Sequence, residues 1–347
     1  GLNRSYILYV PALYSPSNSV PLVINFHGYT SNSSEQMYYG DFRTIADTAN
    51  FILVHPMGTL DGSSQPYWNA DWGGTVDDIG FTEALIDSLS DQYNINQSRV
   101  YSTGMSNGGF MSYTLACSLS NRIAAIASVT GTMNFNQSLT CSPNHPVPVM
   151  EIHGTDDTTV PYTGTGGMSS IANTLNYWVN YNQCDTAAVF SNVPNVSITD
   201  GCTAEHYIYE NGDNGVEVEH YKIIDGAHTW PGAPIQTGVT NYDFNASEKI
   251  WQFFAQYDIN GKINATTIEG VNNDELELIV YPNPTSDKVI IQSNEMIEKI
   301  ELLDFTGKWL KTYKNVNFIN ITNLTDGVYF IKVTSEKTEV IKKLVKR

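Results

Sequence analysis

Apolar and polar positions follow two regimes along this chain, and the change between them comes near residue 260. In the first, short apolar runs take turns with segments of helical spacing. Ser5–Val10, Leu22–Phe26, Phe51–His55, Arg99–Thr103, Ile123–Val129, Pro148–His153 and Val216–Ile224 read as strands. Leu22–Phe26 is almost continuously apolar, as expected of a strand covered on both faces. Phe81, Leu85, Leu89 and Tyr93 recur at helical spacing behind Asp77-Asp78, whose carboxylates suit the free N–H groups of a first turn. Further helices are predicted over Phe110–Leu119, Ile171–Asn182 and Ala246–Tyr257. Strands alternating with helices predict an α/β domain over 1–260, with a mostly parallel sheet covered by helices on both faces.

The second regime has no helical spacing. A polar, turn-rich linker is expected over 261–275. Beyond it come only short strand-like runs: Leu276–Tyr281, Val289–Gln292, Ile300–Asp304, Trp309–Tyr313, Asn317–Ile321, Gly327–Thr334 and Thr338–Val345. Turn pairs such as Asn283-Pro284 and Thr306-Gly307 separate them. This pattern predicts a small all-β sandwich over 276–347.

Charge follows the same division. The chain of 347 residues carries a formal net charge of −18. Residues 1–262 hold 24 acidic and 7 basic side chains, whereas 263–347 hold 12 and 11. So acidic a first domain argues against nucleic acid, which needs clustered Lys and Arg, and against an anionic membrane surface. A neutral or weakly charged substrate suits it better. No apolar run approaches the ~18 residues of a membrane span. The sequence opens at Gly1 with neither Met nor a basic or apolar leader, as expected where a signal peptide has been removed or a sequence trimmed.

Four cysteines, at 117, 141, 184 and 202, show no zinc spacing. In an exported protein the simplest reading is two sequence-local disulfides, Cys117–Cys141 and Cys184–Cys202, with four buried thiols as the alternative.

The chemistry centres on Gly104-Met105-Ser106-Asn107-Gly108. A Gly-x-Ser-x-Gly pattern alone is modest evidence, but here it lies between a predicted strand and a predicted helix. That is where a nucleophile elbow exposes a serine hydroxyl at the sheet edge. Ser106 is therefore the expected nucleophile, and it needs a base held by a carboxylate, in the chain order Ser, acid, His. Of the histidines that follow, His228 lies in a loop directly after a strand, whereas His153, His206 and His220 fall within strand patterns and His145 comes too early. Asp156 and Asp157 both follow the Pro148–His153 strand, and position alone does not separate them. The oxyanion hole should draw one N–H from Asn107 and one from the loop after Leu22–Phe26, assigned to Tyr29 with Thr30 as the other possibility. Trp68, Trp72, Tyr162 and Trp230 lie in loops near these motifs and are candidate substrate contacts.

Five ordered motifs carry a resemblance. They are Phe26-His27-Gly28, Val76-Asp77-Asp78-Ile79-Gly80-Phe81, Gly104 to Gly109, His153-Gly154-Thr155-Asp156-Asp157 with Val160-Pro161-Tyr162, and Gly226-Ala227-His228-Thr229-Trp230-Pro231-Gly232. Over residues 5–257 the chain resembles secreted esterases related to polyhydroxybutyrate depolymerases and to the feruloyl and acetylxylan esterases of carbohydrate esterase family 1. The resemblance implies an α/β-hydrolase fold and a cofactor-free, metal-free serine esterase. It selects Asp157 as the acid and supports the Cys117–Cys141 pair. Ala227 replaces a glycine common in the family. The tail, from Val280-Tyr281-Pro282-Asn283-Pro284 through Leu324-Thr325-Asp326-Gly327-Val328-Tyr329 to Lys346-Arg347, resembles the sorting domain of type IX secretion in Bacteroidetes. That implies the type IX machinery as a partner and an extracellular or cell-surface location. The expected activity is hydrolysis of acetyl or feruloyl esters of plant polysaccharide, or of short-chain esters. Polyhydroxyalkanoate cleavage and a non-catalytic exported binding protein are the alternatives.

Overall fold

The apolar run at Val20–Phe26 (β2) is buried at every position and lies inside a nine-stranded mixed sheet in the computed structural model. Residues 2–263 are described, together with 278–281, 283, 285–293, 297–304, 308–314, 316–335 and 339–346. Around β2 stand β1 (Tyr6–Tyr9), β3 (Ile52–Pro56), β4 (Ile95–Met105), β5 (Ala125–Val129), β6 (Val149–Gly154), β7 (Val189–Asn192), β8 (Thr203–Tyr209) and β9 (Val218–Ile224). Their order is β1-β3-β2-β4-β5-β6-β9-β8-β7. The six strands from β3 to β9 in that order are mutually parallel, while β1, β8 and β7 add antiparallel edges. The α/β expectation holds, with three further strands joined to the parallel core by antiparallel pairing.

Alternate side chains of the strands enter two separate cores, as the strand's period of two requires. Leu22, Ile24 and Phe26 join one, packed by α3 (Asp78–Gln92), α4 (Asn107–Ser118) and α5 (Ile171–Tyr181). Val23, Leu53 and Ile152 join the other, covered by α2 (Arg43–Ala49) and α6 (Ala246–Phe254), while α1 (Ser33–Tyr39) precedes α2. Asp77 caps α3 by accepting the Gly80 N–H at 2.7 Å, the role its sequence position suggested.

The two faces decide the cysteines. Cys117 and Cys141 are bonded and tie the end of α4 to the segment before β6. Cys184 and Cys202 are free, which corrects the expectation of a second disulfide. Cys184 packs in the first core and Cys202 in the second, so the sheet lies between them. Each thiol has a polar neighbour of its own: Val216 O at 3.7 Å from Cys184, and Asp200 Oδ1 at 3.5 Å from Cys202.

The chain divides into two units, residues 1–265 and 266–347. Gly261–Lys262, expected in the linker, instead pairs with Tyr257–Asp258 within the first unit. The rest of the expected linker, from 264, lies outside the described residues, as do Pro284, Thr306-Gly307 and Thr338. The described residues of the second unit form strands and turns only. Leu278–Tyr281, Lys288–Ser293 and Phe318–Asn320 form one antiparallel sheet. Trp309–Lys314, Lys299–Asp304, Gly327–Thr334 and Glu339–Lys346 form another, and Val289, Ile291 and Ile319 from the first sheet join Ile300, Ile331 and Leu344 from the second in one core. No described helix is long and apolar enough to cross a membrane.

Candidate active site

Strands β2, β4, β6 and β9 all run in one direction, so the loops that follow them open at one edge of the sheet, where ligands bind in open α/β folds. Ser106 follows β4 directly, with φ 53° and ψ −118°, a left-handed conformation that a non-glycine residue adopts only when its surroundings enforce it. Its N–H donates to Val129 O on β5 at 2.8 Å, and α4 begins at the next residue. The turn closes because Gly108 brings the helix onto the end of β2. A Cβ at Gly108 would lie 2.2 Å from Phe26 O and 2.7 Å from Phe26 C, backbone atoms that cannot swing away. Gly108→Ala is therefore expected to cost about 2 kcal/mol or more, read as a Tm several degrees lower, with slower hydrolysis because the β2 loop must shift. An unchanged melting curve would contradict this packing.

The loop after β2 lies against the Ser106 turn, since a Cβ on Gly28 would stand 3.5 Å from Ser106 Cβ. His27 sets its orientation. His27 Nε2 accepts the Gly58 N–H at 2.9 Å, so Nδ1 carries the proton and donates to Gly28 O at 2.7 Å. Burial pushes the pKa of this ring down and keeps it neutral. Gly28 O and Tyr29 N–H belong to one trans peptide and point in opposite directions, so anchoring the carbonyl also aims the N–H. Thr30 N–H is committed to Pro66 O at 2.9 Å, whereas Tyr29 N–H has no acceptor among the described residues. Beside it, the Asn107 side chain exchanges two hydrogen bonds with the Trp68 backbone, at 2.7 and 3.0 Å.

Asp157 is buried in the loop after β6, and Oδ1 accepts the N–H groups of Thr159 and Val160 at 2.8 Å each. Its Oδ2 lies 2.6 Å from His228 Nδ1, in the loop after β9. Burial alone would push the Asp157 carboxyl up, but the His153 and His228 rings against it hold it well below the usual range. Asp156 is exposed and makes no comparable contact with His228.

Further inside, His153 is fully buried. Its Nδ1 lies 2.9 Å from Glu151 Oε1, and its Nε2 lies 2.8 Å from Val160 O and 3.4 Å from Asp157 Oδ2. The Tyr113 hydroxyl, from α4, donates to Glu151 Oε2 at 2.7 Å. Sequence reasoning placed His153 in a strand and stopped there. The available signal was spacing: Glu151 shares a strand face with it two residues before, and Asp157 follows four residues after.

The aromatic candidates separate. Trp230 is 1% exposed, packs edge-on against Phe42 and donates to Ser247 Oγ, so its expected substrate contact is corrected to a core role. Trp68 is likewise buried, between Phe26 and Phe81, and donates to His27 O. Tyr162 is half-buried, with its hydroxyl engaged by His220 Nε2 at 2.8 Å. Trp72 is 43% exposed and packs on Phe110, in the first turn of α4. Among the described residues no group of three or more His, Cys, Asp or Glu side chains is arranged to hold a metal ion.

Comparison with known proteins agrees with this layout. Residues 15–188 match the phospholipase/carboxylesterase family, and residues 279–347 match the secretion system C-terminal sorting domain. A bifunctional acetylxylan esterase/xylanase of Neocallimastix patriciarum is 29% identical over 78% of this chain, and feruloyl esterase C of Emericella nidulans is 28% identical over 72%. This chain spans 36% of the length of the first and 83% of the second. Feruloyl esterase B of Piromyces equi is 28% identical, with 42% of its length spanned. An acetyl xylan esterase from Aspergillus awamori shares the fold at a TM-score of 0.53 and 16% identity, over 73% of this chain and 94% of that one. With a family match over half of its length and a strained Ser106 turn at the end of a central parallel strand, this chain belongs to the phospholipase/carboxylesterase family, in an α/β-hydrolase fold that precedes a C-terminal sorting domain.

Proposed function

We propose that this protein is an exported serine esterase that removes acetyl or feruloyl groups from plant polysaccharide, with Ser106, His228 and Asp157 as its triad. The observation that carries the reading is the 2.6 Å contact between His228 Nδ1 and Asp157 Oδ2, in loops at the same sheet edge as the strained Ser106 turn. With Nδ1 donating to the carboxylate, His228 Nε2 is free to take the proton of Ser106 Oγ as it attacks the ester carbonyl. The N–H groups of Tyr29 and Asn107 hold the oxyanion. His228 then returns the proton to the departing alcohol and activates water to release the acyl group.

The exposed ring of Trp72, packed on Phe110 in the first turn of α4, offers a flat apolar surface to an aryl group or a sugar ring. A chain of net charge −18 favours neutral substrates, and the named activities of the Neocallimastix and Emericella relatives point the same way. The sorting domain at 279–347 supports export through the type IX machinery to the medium or the cell surface.

Assaying acetylated xylan, methyl ferulate and polyhydroxybutyrate side by side tests the substrate class. Release of acetate or ferulate is the expected result. Hydroxybutyrate as the sole product would replace polysaccharide esters with a polyester, and no turnover of any ester would remove the enzyme reading altogether.

A further inference from the structure

We propose that His153 is a positioning residue for ester hydrolysis: a doubly protonated imidazolium whose charge lies against the same Asp157 oxygen that His228 uses. This rests on the reading of Ser106, His228 and Asp157 as the triad. A neutral imidazole offers one donor and one acceptor, and would fit the partners of His153 only if Glu151, whose pKa burial pushes up, gave a proton to Nδ1. Val160 O is a carbonyl that only accepts, so Nε2 must carry hydrogen. Nδ1 faces Glu151 Oε1, and the other oxygen of Glu151 already accepts from the Tyr113 hydroxyl, which favours the carboxylate. A second anion, Asp157, stands 3.4 Å from Nε2. Two carboxylates around one fully buried ring favour the imidazolium, which offsets one of the two negative charges.

The other groups near His153 add no competing cation. Tyr162 presents its ring edge-on at 6.0 Å. His220 donates from Nδ1 to Glu151 O and accepts from Tyr162 at Nε2, so it is neutral, and burial pushes its pKa down to about 3. His228 lies across Asp157. Burial alone would strip the proton from His153 as well, but Asp157 and Glu151 outweigh it and raise the pKa to about 9.

The consequence concerns the base. A fixed cation at Asp157 Oδ2 takes up part of the carboxylate's field that would otherwise act on His228. His153→Gln keeps a donor in place without the charge. The acid limb of its kcat/KM profile is expected to move to higher pH by about half to one unit, with kcat several-fold lower and KM nearly unchanged. An acid limb that stays where it is in the wild type, whatever happens to kcat, would overturn the proposal. The 15N ring shifts of His153 in the wild-type chain give a second measurement that does not depend on the variant folding. Two protonated nitrogens are expected at about pH 7.5, one unit above the ordinary histidine value, where an unperturbed ring is mostly neutral. One bare nitrogen there would overturn the proposal. Either failure leaves the triad standing, because the triad is decided by Ser106→Ala.

Discussion

Ser106→Ala is expected to lower kcat for p-nitrophenyl acetate by about 10⁵-fold or more, close to the background of the oxyanion donors acting alone. On the proposed mechanism activity has one route, since His228 takes a proton only from a hydroxyl at Nε2, and Ser106 supplies that hydroxyl. The folded chain should barely notice. The turn is imposed by the closeness of Gly108 to Phe26 and by the Ser106 N–H bond to Val129 O, and alanine keeps both. Melting at nearly the wild-type temperature, together with lost turnover, would separate chemistry from stability. A variant within tenfold of wild type would show that another group attacks the ester.

Asp157→Asn should cost about 10⁴-fold in kcat, and Asp156→Asn less than about twofold. The asparagine can still accept from Thr159 and Val160, but its amide then meets His228 Nδ1–H donor to donor. His228 escapes only by adopting the other tautomer, which puts a proton on Nε2 and leaves Ser106 without a base. Asp156 is exposed and has no such role to lose. The reverse ranking of the two variants would assign the acid to Asp156.

Much of this centre could be read from residues because strand ends and loops are marked locally. The continuous run at Val20–Phe26 and the Asp77 cap announce their elements through burial and hydrogen-bonding needs that lie within a few residues. The edge strand Val189–Asn192 and the helices Ser33–Tyr39 and Arg43–Ala49 are not legible in the sequence, because short, half-polar segments have no strong period, whereas Thr203–Tyr209 shows itself only as the strand pattern around His206. Direction was the other loss. A tryptophan in a loop beside a motif can face solvent or core, and only the packing of Phe42 on Trp230 and of Phe26 on Trp68 decides it. Closeness in sequence likewise misled for Cys184 and Cys202, because sequence distance does not say which face of a sheet a side chain enters. The Glu151–His153–Asp157 arrangement was hidden for a related reason. Its three charges are visible in the sequence, but whether a buried histidine is a filler or a cation depends on acceptors brought by the turn at Val160.

The two free thiols make the molecule its own unfolding gauge. Burial raises Cys184 to about 11 and Cys202 to about 12, so in neutral solution almost no thiolate exists for a reagent to capture while the fold is closed. Alkylation must wait for an opening event, and its rate counts those events. Because one sulfur belongs to the core under α3, α4 and α5 and the other to the core under α2 and α6, a mass spectrum that resolves the two labels tells which layer lifts from the sheet first.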